Sequence, residues 1–209
     1  MTIKNKESFS TDVCFLIASS AHKSYQELAI KYAAIEPPTW ALLLAQSCRS
    51  VGYKVSILDA NAENLSDDQI LIRINELNPR IICLVVYGQN VNAGTANMRG
   101  AVDVNNFLKI NKISCPTAFI GSHVQALPVD TLKKEKSIDI VFTNEGVYAL
   151  RNLLKLDNFS LENLRDIKGI AYRKDDEIKI NLPEKVVPTE RMDIDLPGYA
   201  WDLLPYKNK

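Results

Sequence analysis

The 209 residues carry 25 basic and 25 acidic side chains, and 46% of them are hydrophobic. This length and composition predict one domain, or one domain with an appendage, built around a single sizeable core. The balanced charge offers no basic excess to nucleic acid or to an anionic membrane, and no run approaches the roughly 20 apolar residues of a membrane span. We therefore expect a cytoplasmic protein that has neither partner.

The four cysteines are too widely spaced to form a metal-binding motif. Cys14, Cys48, Cys83 and Cys115 lie more than thirty positions apart, so the sequence has no CxxC or CxxxCxxC cluster for a metal or an iron–sulfur centre. Three of them lie inside apolar runs, which predicts buried and reduced thiols.

Short apolar runs alternate with amphipathic segments, the pattern of βαβ units around a mostly parallel sheet. Ile81–Tyr87 is almost continuously apolar, as expected of a central strand covered on both faces. The predicted strands are, in chain order, Val13–Ala18, Lys54–Leu58, Ile81–Tyr87, Thr117–Ile120 and Asp139–Thr143.

Start and stop signals bound the predicted helices. Gly52 is suited to end a helix in a left-handed cap, and Ser66 is a candidate N-cap. The polar stretch GQNVNAGTANMRG, which starts at Gly88, predicts a loop. The predicted helices run from Pro38 to Val51, from Ser66 to Leu77, up to about Ile110, and through Leu150 and Leu154.

The character of the sequence changes beyond about Asp157. Gly169–Arg173 and Glu177–Leu182 flank a polar turn and predict a β-hairpin. From Pro183 onward four prolines interrupt a stretch without amphipathic period, which predicts an extended strap or linker; residues 183–209 are called the strap below. We expect an α/β ligand-binding domain in residues 1–157, and a hairpin with a linker in residues 158–209.

Ligands of open parallel sheets bind at the carboxyl ends of the strands. The candidate site is therefore formed by four loops, residues 19–36, 88–97, 121–127 and 144–146. The first loop has no glycine, which argues against the GxGxxG turn of a dinucleotide site, and GxxxxGK[ST] is absent. His22 and His123 could both face the crevice, but no Ser/His/Asp or Cys/His set can be assembled. The residues alone predict a domain that binds a large ligand.

Motifs spread over nearly the whole chain resemble the N-terminal cobalamin-binding region of cobalamin-dependent radical S-adenosylmethionine enzymes. The motifs are Tyr25, Leu28, KYAAIEPPTWA, GYKVSILDA, LNPRIICLVVYGQN, the strand end at Gly121, IDIVFTNEG, IKGIAYR and DLPGYAWDLLP. The order and spacing of IEPP, VVYGQN and LPGYAWDLLP make this resemblance specific.

The resemblance implies a flavodoxin-like, Rossmann-like doubly wound parallel sheet of order 2-1-3-4-5 that holds the corrin and buries its nucleotide tail. It also implies a radical S-adenosylmethionine barrel after the strap, with a [4Fe-4S] cluster on a CxxxCxxC motif, and methyl transfer from methylcobalamin. This sequence has no such motif and stops at Lys209, where the barrel would begin. We therefore expect a domain or a truncated product that cannot perform the radical step alone.

The resemblance also implies which residues bind the cofactor. Of the family's DxHxxG motif only the histidine remains, as His22; it is a weak candidate for ligating cobalt because the Asp that would orient the imidazole is missing. The usual glycine pair after the fourth strand is Gly121-Ser122 here. The expected cofactor-binding residues are Ser20, Tyr25, Tyr87, Gly88, Gln89, Asn90, Gly121, Ser122, His123, Glu145 and Gly146.

Two other functions stay open at this point. The first is a stand-alone module that carries a corrinoid or another small ligand, without catalysis of its own. The second is an oxidoreductase that uses a nicotinamide cofactor, which the fold class permits.

Overall fold

The computed structural model describes residues 9–18, 36–88 and 91–205. These residues form one seven-stranded sheet of order β2-β1-β3-β4-β5-β6-β7. The strands are β1 Thr11–Ile17, β2 Val55–Asp59, β3 Pro79–Val85, β4 Thr117–Ile120, β5 Ile140–Phe142, β6 Ile170–Lys174 and β7 Glu177–Ile180. Neighbouring strands among β1 to β5 pair in parallel. The predicted flavodoxin-like order 2-1-3-4-5 is confirmed.

The predicted β-hairpin is present and extends this sheet. β6 pairs antiparallel with β5, and β7 pairs antiparallel with β6. Asp175 lies in the turn with a φ of 53°, in the left-handed region that Asp tolerates. The hairpin also adds Ile170 and Tyr172 to the main core, so it packs with the parallel strands.

Helices cover both faces of the sheet, as expected of a doubly wound fold. The described helices are α1 Thr39–Ser50, α2 Asp67–Leu77, α3 Val91–Ile110, α4 Ser122–Ala126, α5 Pro128–Lys134, α6 Val147–Leu154, α7 Leu161–Leu164 and α8 Met192–Asp195. One apolar cluster joins α1 and α6 to one face. The other cluster joins α2, α3 and α5 to the opposite face. None of the helices within the described ranges is long and apolar enough to span a membrane.

Two predicted helix signals are confirmed. Ser66 caps α2, because its hydroxyl accepts from the Gln69 N–H while the Gln69 side chain accepts from the Ser66 N–H. This reciprocal capping box satisfies two donors that a helix start leaves unpaired. Gly52 follows α1 with a φ of +95°, a conformation that glycine adopts without steric penalty.

Two segments predicted as loops are helical. α3 begins at Val91, inside the predicted loop of residues 88–97, and α4 occupies most of the predicted loop of residues 121–127. Gly94 argued against a helix, since glycine costs about 1 kcal/mol relative to alanine in a helix interior. A Cβ at Gly94 would lie 2.6 Å from Ser122 Oγ. The close approach of α3 to α4 therefore explains the glycine.

The prolines predicted an extended strap, but the strap is only partly extended. It contains α8 and two 3-10 turns, Thr189–Arg191 and Trp201–Leu203. Val187, Ala200 and Leu204 are buried in the core cluster that contains α1 and α6. The strap thus covers the groove between these two helices.

Two arginine–aspartate pairs fasten the strap. Arg151 on α6 donates from Nη1 to Asp195 Oδ1 at 2.8 Å, and both side chains are buried. Arg49 on α1 donates from Nη1 and Nη2 to the two carboxylate oxygens of Asp202, at 2.6 and 2.9 Å. A bidentate pair fixes orientation as well as distance.

Candidate cofactor site at the carboxyl edge of the sheet

The predicted site residues that the structure describes all lie at the carboxyl edge, where β1 to β5 end. Tyr87 and Gly88 follow β3, Gly121 to His123 follow β4, and Glu145 with Gly146 follows β5. The other predicted site residues lie outside the described ranges; they are Ser20, His22, Tyr25, Gln89 and Asn90.

The ring of Tyr87 packs against the ring of Trp40, the second residue of α1. The ring centroids are 5.4 Å apart and the planes are tilted by 58°, an arrangement that aromatic pairs prefer to a face-to-face stack. Both side chains are half-buried. They form the aromatic part of the candidate site, called the aromatic pair below.

The hydroxyl group of Tyr87 is held as a neutral phenol. Gln125 Nε2 on α4 donates to the phenol oxygen. Burial raises the pKa of Tyr87 to about 12, and the hydrogen bond from Gln125 lowers it by a smaller amount. Asn97 Nδ2 on α3 fixes the backbone of Tyr87 by donating to its carbonyl at 3.0 Å. Tyr87 therefore presents an uncharged, oriented ring to the crevice.

Gly121 is required for strand packing. A Cβ at this position would lie 2.6 Å from Val86 O and 2.7 Å from Val86 C. Any side chain would therefore press on the backbone that follows β3, which cannot yield as a flexible side chain can. A large residue at Gly121 is therefore expected to disturb the fold itself as well as any ligand bound at this edge.

Ser122 and His123 form the first turn of α4 and are half-buried. Ser122 Oγ lies against Gly94 of α3, as described above. His123 Nδ1 lies 3.5 Å from Thr95 Oγ1. The hydroxyl and the imidazole are the polar side chains that this part of the edge can direct to a ligand.

Glu145 faces the strap with its carboxylate. Glu145 Oε1 accepts from the backbone N–H of Val187 at 2.6 Å. Its carbonyl oxygen accepts from Trp40 Nε1 at 3.1 Å. Gly146 has a φ of +82° and starts α6, and its N–H donates to Asn144 Oδ1 at 2.9 Å. These two residues shape the edge by fixing the loop after β5.

Three residues that form bonds at this site were not among the expected cofactor-binding residues: Trp40, and also Gln125 and Asn144, which lie within the predicted loops of residues 121–127 and 144–146. Gln125 Nε2 bridges from the phenol of Tyr87 to the Asn144 carbonyl, which it reaches at 2.5 Å. The signal for Trp40 was its place in the first turn of α1, two residues after Pro38, at the carboxyl edge. No local pattern marks Gln125, because its partners come from other strands.

A cavity of about 570 Å³ lies at the opposite edge of the sheet, where β4 and β5 begin. It is lined by residues that include Lys109, Pro116, Asp139, Phe159, Tyr172 and Arg173. Lys109 Nζ and Asp139 Oδ2 form an ion pair there at 2.8 Å. Ligands of open parallel sheets bind at the carboxyl ends of the strands, so this cavity is not the candidate site.

The part of the chain that the structure describes holds no group of three His, Cys, Asp or Glu side chains arranged for a metal ion. All four cysteines are free thiols. The predicted burial is confirmed for Cys14, Cys48 and Cys83, whereas Cys115 is half-buried.

This chain resembles known proteins in sequence and in fold. A family model described as B12 binding domain matches residues 26–154. The chain is 26% identical over 172 residues to the anaerobic magnesium-protoporphyrin IX monomethyl ester cyclase of Synechocystis, and 25% identical over 189 residues to that of Rubrivivax gelatinosus. These alignments cover 82% and 89% of the chain but 32% of each relative. The chain thus spans about a third of the length of the curated relatives it matches.

Two solved structures of the radical S-adenosylmethionine methyltransferase TsrM from Kitasatospora setae share the fold. One, with tryptophan and a S-adenosylmethionine analogue bound, has a TM-score of 0.59 at 14% identity, over 83% of this chain and 30% of that chain. The other, with cobalamin and a [4Fe-4S] cluster bound, has a TM-score of 0.59 at 13% identity, over 82% and 30%. The family match spans more than half of the sequence, so this chain belongs to the B12-binding domain family, as its motifs indicated.

Proposed function

We propose that this chain binds cobalamin at the carboxyl edge of β3, β4 and β5, as the cobalamin-binding part of a larger radical S-adenosylmethionine enzyme. The family match over residues 26–154 carries the proposal, because it includes α1 to α6 and the strand ends between them. The relatives extend well beyond the third of their length that matches this chain, which supports a larger protein. The S-adenosylmethionine and [4Fe-4S] sites would belong to that larger protein.

The residues at the carboxyl edge fit a large, flat and amphipathic cofactor. The aromatic pair of Trp40 and Tyr87 offers half-buried apolar surface, while Ser122 and His123 offer hydrogen-bonding groups beside it. A corrin ring with amide arms needs both kinds of contact. When bound, cobalamin supplies the cobalt chemistry of methyl transfer or of radical reactions. The residues of this chain hold and orient it.

For the whole protein we propose methyl transfer, the activity named for the TsrM structures. A second candidate is a cyclase reaction, which the curated relatives favour because their identity of 25–26% exceeds the 13–14% of TsrM. The residues described here bind the cofactor under either proposal, so they do not distinguish the two reactions.

Retention of a corrinoid by the purified chain tests the proposed function. The chain is mixed with hydroxocobalamin, desalted, and examined for corrinoid absorption that elutes with the protein, under oxidising and reducing conditions. We expect His123→Ala to raise the dissociation constant for hydroxocobalamin about 3- to 10-fold, the range for one lost hydrogen bond. Lys133→Ala, a change of an exposed side chain near the end of α5, is the control. Elution without corrinoid under every condition would refute the proposal.

The reaction is tested on the gene and on its full product. An in-frame CxxxCxxC motif beyond the codon for Lys209 would support the radical enzyme, and an in-frame stop would favour the stand-alone carrier. The full product is then incubated with methyl-labelled S-adenosylmethionine and either tryptophan or magnesium-protoporphyrin monomethyl ester. Label in the product supports methyl transfer, whereas an unlabelled product with a new ring supports the cyclase.

A further inference from the structure

The dipeptide Asn144-Glu145, which follows β5, is bonded to two different parts of the molecule at once. Its two carbonyl groups face the candidate site. The Asn144 carbonyl accepts from Gln125 Nε2 at 2.5 Å, and the Glu145 carbonyl accepts from Trp40 Nε1 at 3.1 Å. Through Gln125 and Trp40 the dipeptide therefore holds both members of the aromatic pair.

The side chains of the same dipeptide hold the strap. Asn144 Nδ2 donates to the carbonyl oxygen of Glu184 at 3.0 Å, and Glu145 Oε1 accepts from the N–H of Val187 at 2.6 Å. A carboxylate that accepts from a backbone N–H makes a charge-assisted hydrogen bond, which is shorter and stronger than a neutral one.

These contacts form a closed ring of bonded residues. Tyr87 is bonded to Gln125, Gln125 to Asn144, and Glu145 to Trp40, whose ring lies 5.4 Å from that of Tyr87. A rigid arrangement of this kind lowers the entropy that must be lost when a ligand binds. The strap is bonded to this ring of residues at the Asn144-Glu145 dipeptide.

We propose that Glu145 is a positioning residue for the cofactor site, which couples the seating of the strap to the orientation of Trp40 and Tyr87. The proposal rests on the proposed function, since it takes cobalamin as the ligand of the aromatic pair. It differs from the expectation that Glu145 binds the cofactor directly. It also makes the strap, which lies beyond the matched residues 26–154, a support of the site.

Loss of the carboxylate should unseat the strap near Val187 and let the loop after β5 move. The aromatic pair would then hold its binding orientation for only a fraction of the time, and the apparent dissociation constant rises as the inverse of that fraction. We expect Glu145→Ala to weaken hydroxocobalamin binding about 10-fold, which corresponds to roughly 1.4 kcal/mol.

The experiment uses Trp40 as a reporter. The chain has two tryptophans, so Trp201→Phe leaves Trp40 as the only tryptophan of the parent protein used for this test, and its emission is excited selectively over that of tyrosine. In that background Glu145→Ala is compared with Glu145→Gln, whose amide oxygen can still accept from the Val187 N–H. Glu190→Ala, which removes an exposed carboxylate from the strap, is the charge-matched control.

Three quantities are measured: the Trp40 emission maximum without corrinoid, hydrogen exchange of the Val187 amide, and the dissociation constant for hydroxocobalamin. We expect Glu145→Ala to shift the emission, speed the exchange and weaken binding, while Glu145→Gln shows smaller changes of the same kind and Glu190→Ala resembles the parent. Unchanged emission in Glu145→Ala would overturn the coupling. Weak binding in Glu145→Gln with emission and exchange like those of the parent would overturn the positioning role, because the charge itself would then matter to the ligand.

The two proposals fail in different ways. A parent that retains no hydroxocobalamin refutes the proposed function. The emission and exchange measurements need no corrinoid, so they decide the coupling between the strap and Trp40 independently.

Discussion

The carboxylate of Asp195 binds two arginines that differ in burial, and this difference tests what anchors the strap. Arg151 Nη1 lies 2.8 Å from Asp195 Oδ1, and its side chain is 9% exposed. Arg191 Nε lies 3.0 Å from Asp195 Oδ2, and its side chain is 47% exposed. The Asp195 side chain itself is 6% exposed. Methionine at either arginine position keeps much of the apolar stem and removes the charge.

Breaking a buried ion pair by removing one partner costs about 3–5 kcal/mol, because a charge is left buried without compensation. In Arg151→Met, Asp195 still accepts from the Tyr148 hydroxyl at 2.6 Å and from Arg191. We therefore expect the lower end of that range, about 3 kcal/mol. The Arg191 side chain is about half exposed. Arg191→Met should therefore lower the free energy of unfolding by about 1 kcal/mol or less.

Urea unfolding and thermal unfolding, both followed by circular dichroism, give the free energy of unfolding and the melting temperature of each variant. A loss of about 3 kcal/mol lowers the melting temperature by roughly 6–12 °C in a chain of this size. Asp195→Asn combined with Arg151→Met should destabilise by less than the sum of the single changes, because the two side chains share one interaction. Equal destabilisation by Arg151→Met and Arg191→Met would refute the argument from burial.

Three more predictions concern the same stability measurement and the thiols. Hydrogen bonds, led by the one from Arg191, hold the pKa of Asp195 below its ordinary value. The resulting stabilisation is complete above the unfolded-state pKa of about 3.9 and is lost as the pH falls below it, so acid titration should show a steeper loss in the parent than in Asp195→Asn. Gly121→Ala should lower the free energy of unfolding by about 2–3 kcal/mol, because the new Cβ overlaps the Val86 backbone. A urea midpoint equal to that of the parent would contradict this expectation. Burial raises the pKa of Cys115 to about 11, so this thiol and the three buried ones should react with a disulfide reagent at pH 8 mainly after unfolding. Rapid labelling of the native chain would be the contrary result.

The strands could be predicted from the sequence because burial on both faces leaves a long apolar run. Ile81–Tyr87 was expected as a central strand, and β3 lies at Pro79–Val85 between β1 and β4. The two-residue shift arises because Pro79, expected only to end the preceding helix, also pairs with Thr11. Hydrophobic pattern therefore located the strand, whereas its ends depend on pairing with a neighbour.

The start of α3 could not be predicted, because the reason for its glycine lies on another element. Gly94 and Ser122 are separated by a helix and a strand, and their contact appears only when α3 and α4 pack together. Local propensity counts Gly94 as a break in the helix. Tertiary packing overrides that preference.

The predicted site residues that the structure describes share one edge of the sheet, but the bonds that join them were not predicted. Strand ends such as Tyr87 and Gly121 follow from the topology of a parallel sheet. The bond from Trp40 to Glu145 joins positions 105 apart, and nothing in either local sequence indicates the other. Pro37 and Pro38 precede α1, whose second residue is Trp40, so the start of α1 places the indole at this edge.

The position of the strap in the sequence affects how this protein folds while it is being synthesised. The groove between α1 and α6 exists once Leu154 has been made, but Leu204, which helps to fill it, comes fifty residues later. At about 5–20 residues per second, the ribosome leaves that apolar groove uncovered for roughly 3–10 s. During this interval the nascent chain offers a hydrophobic surface to chaperones and to other nascent chains. The strap, which is made well after α6, thus closes the core cluster that α1 and α6 help to form.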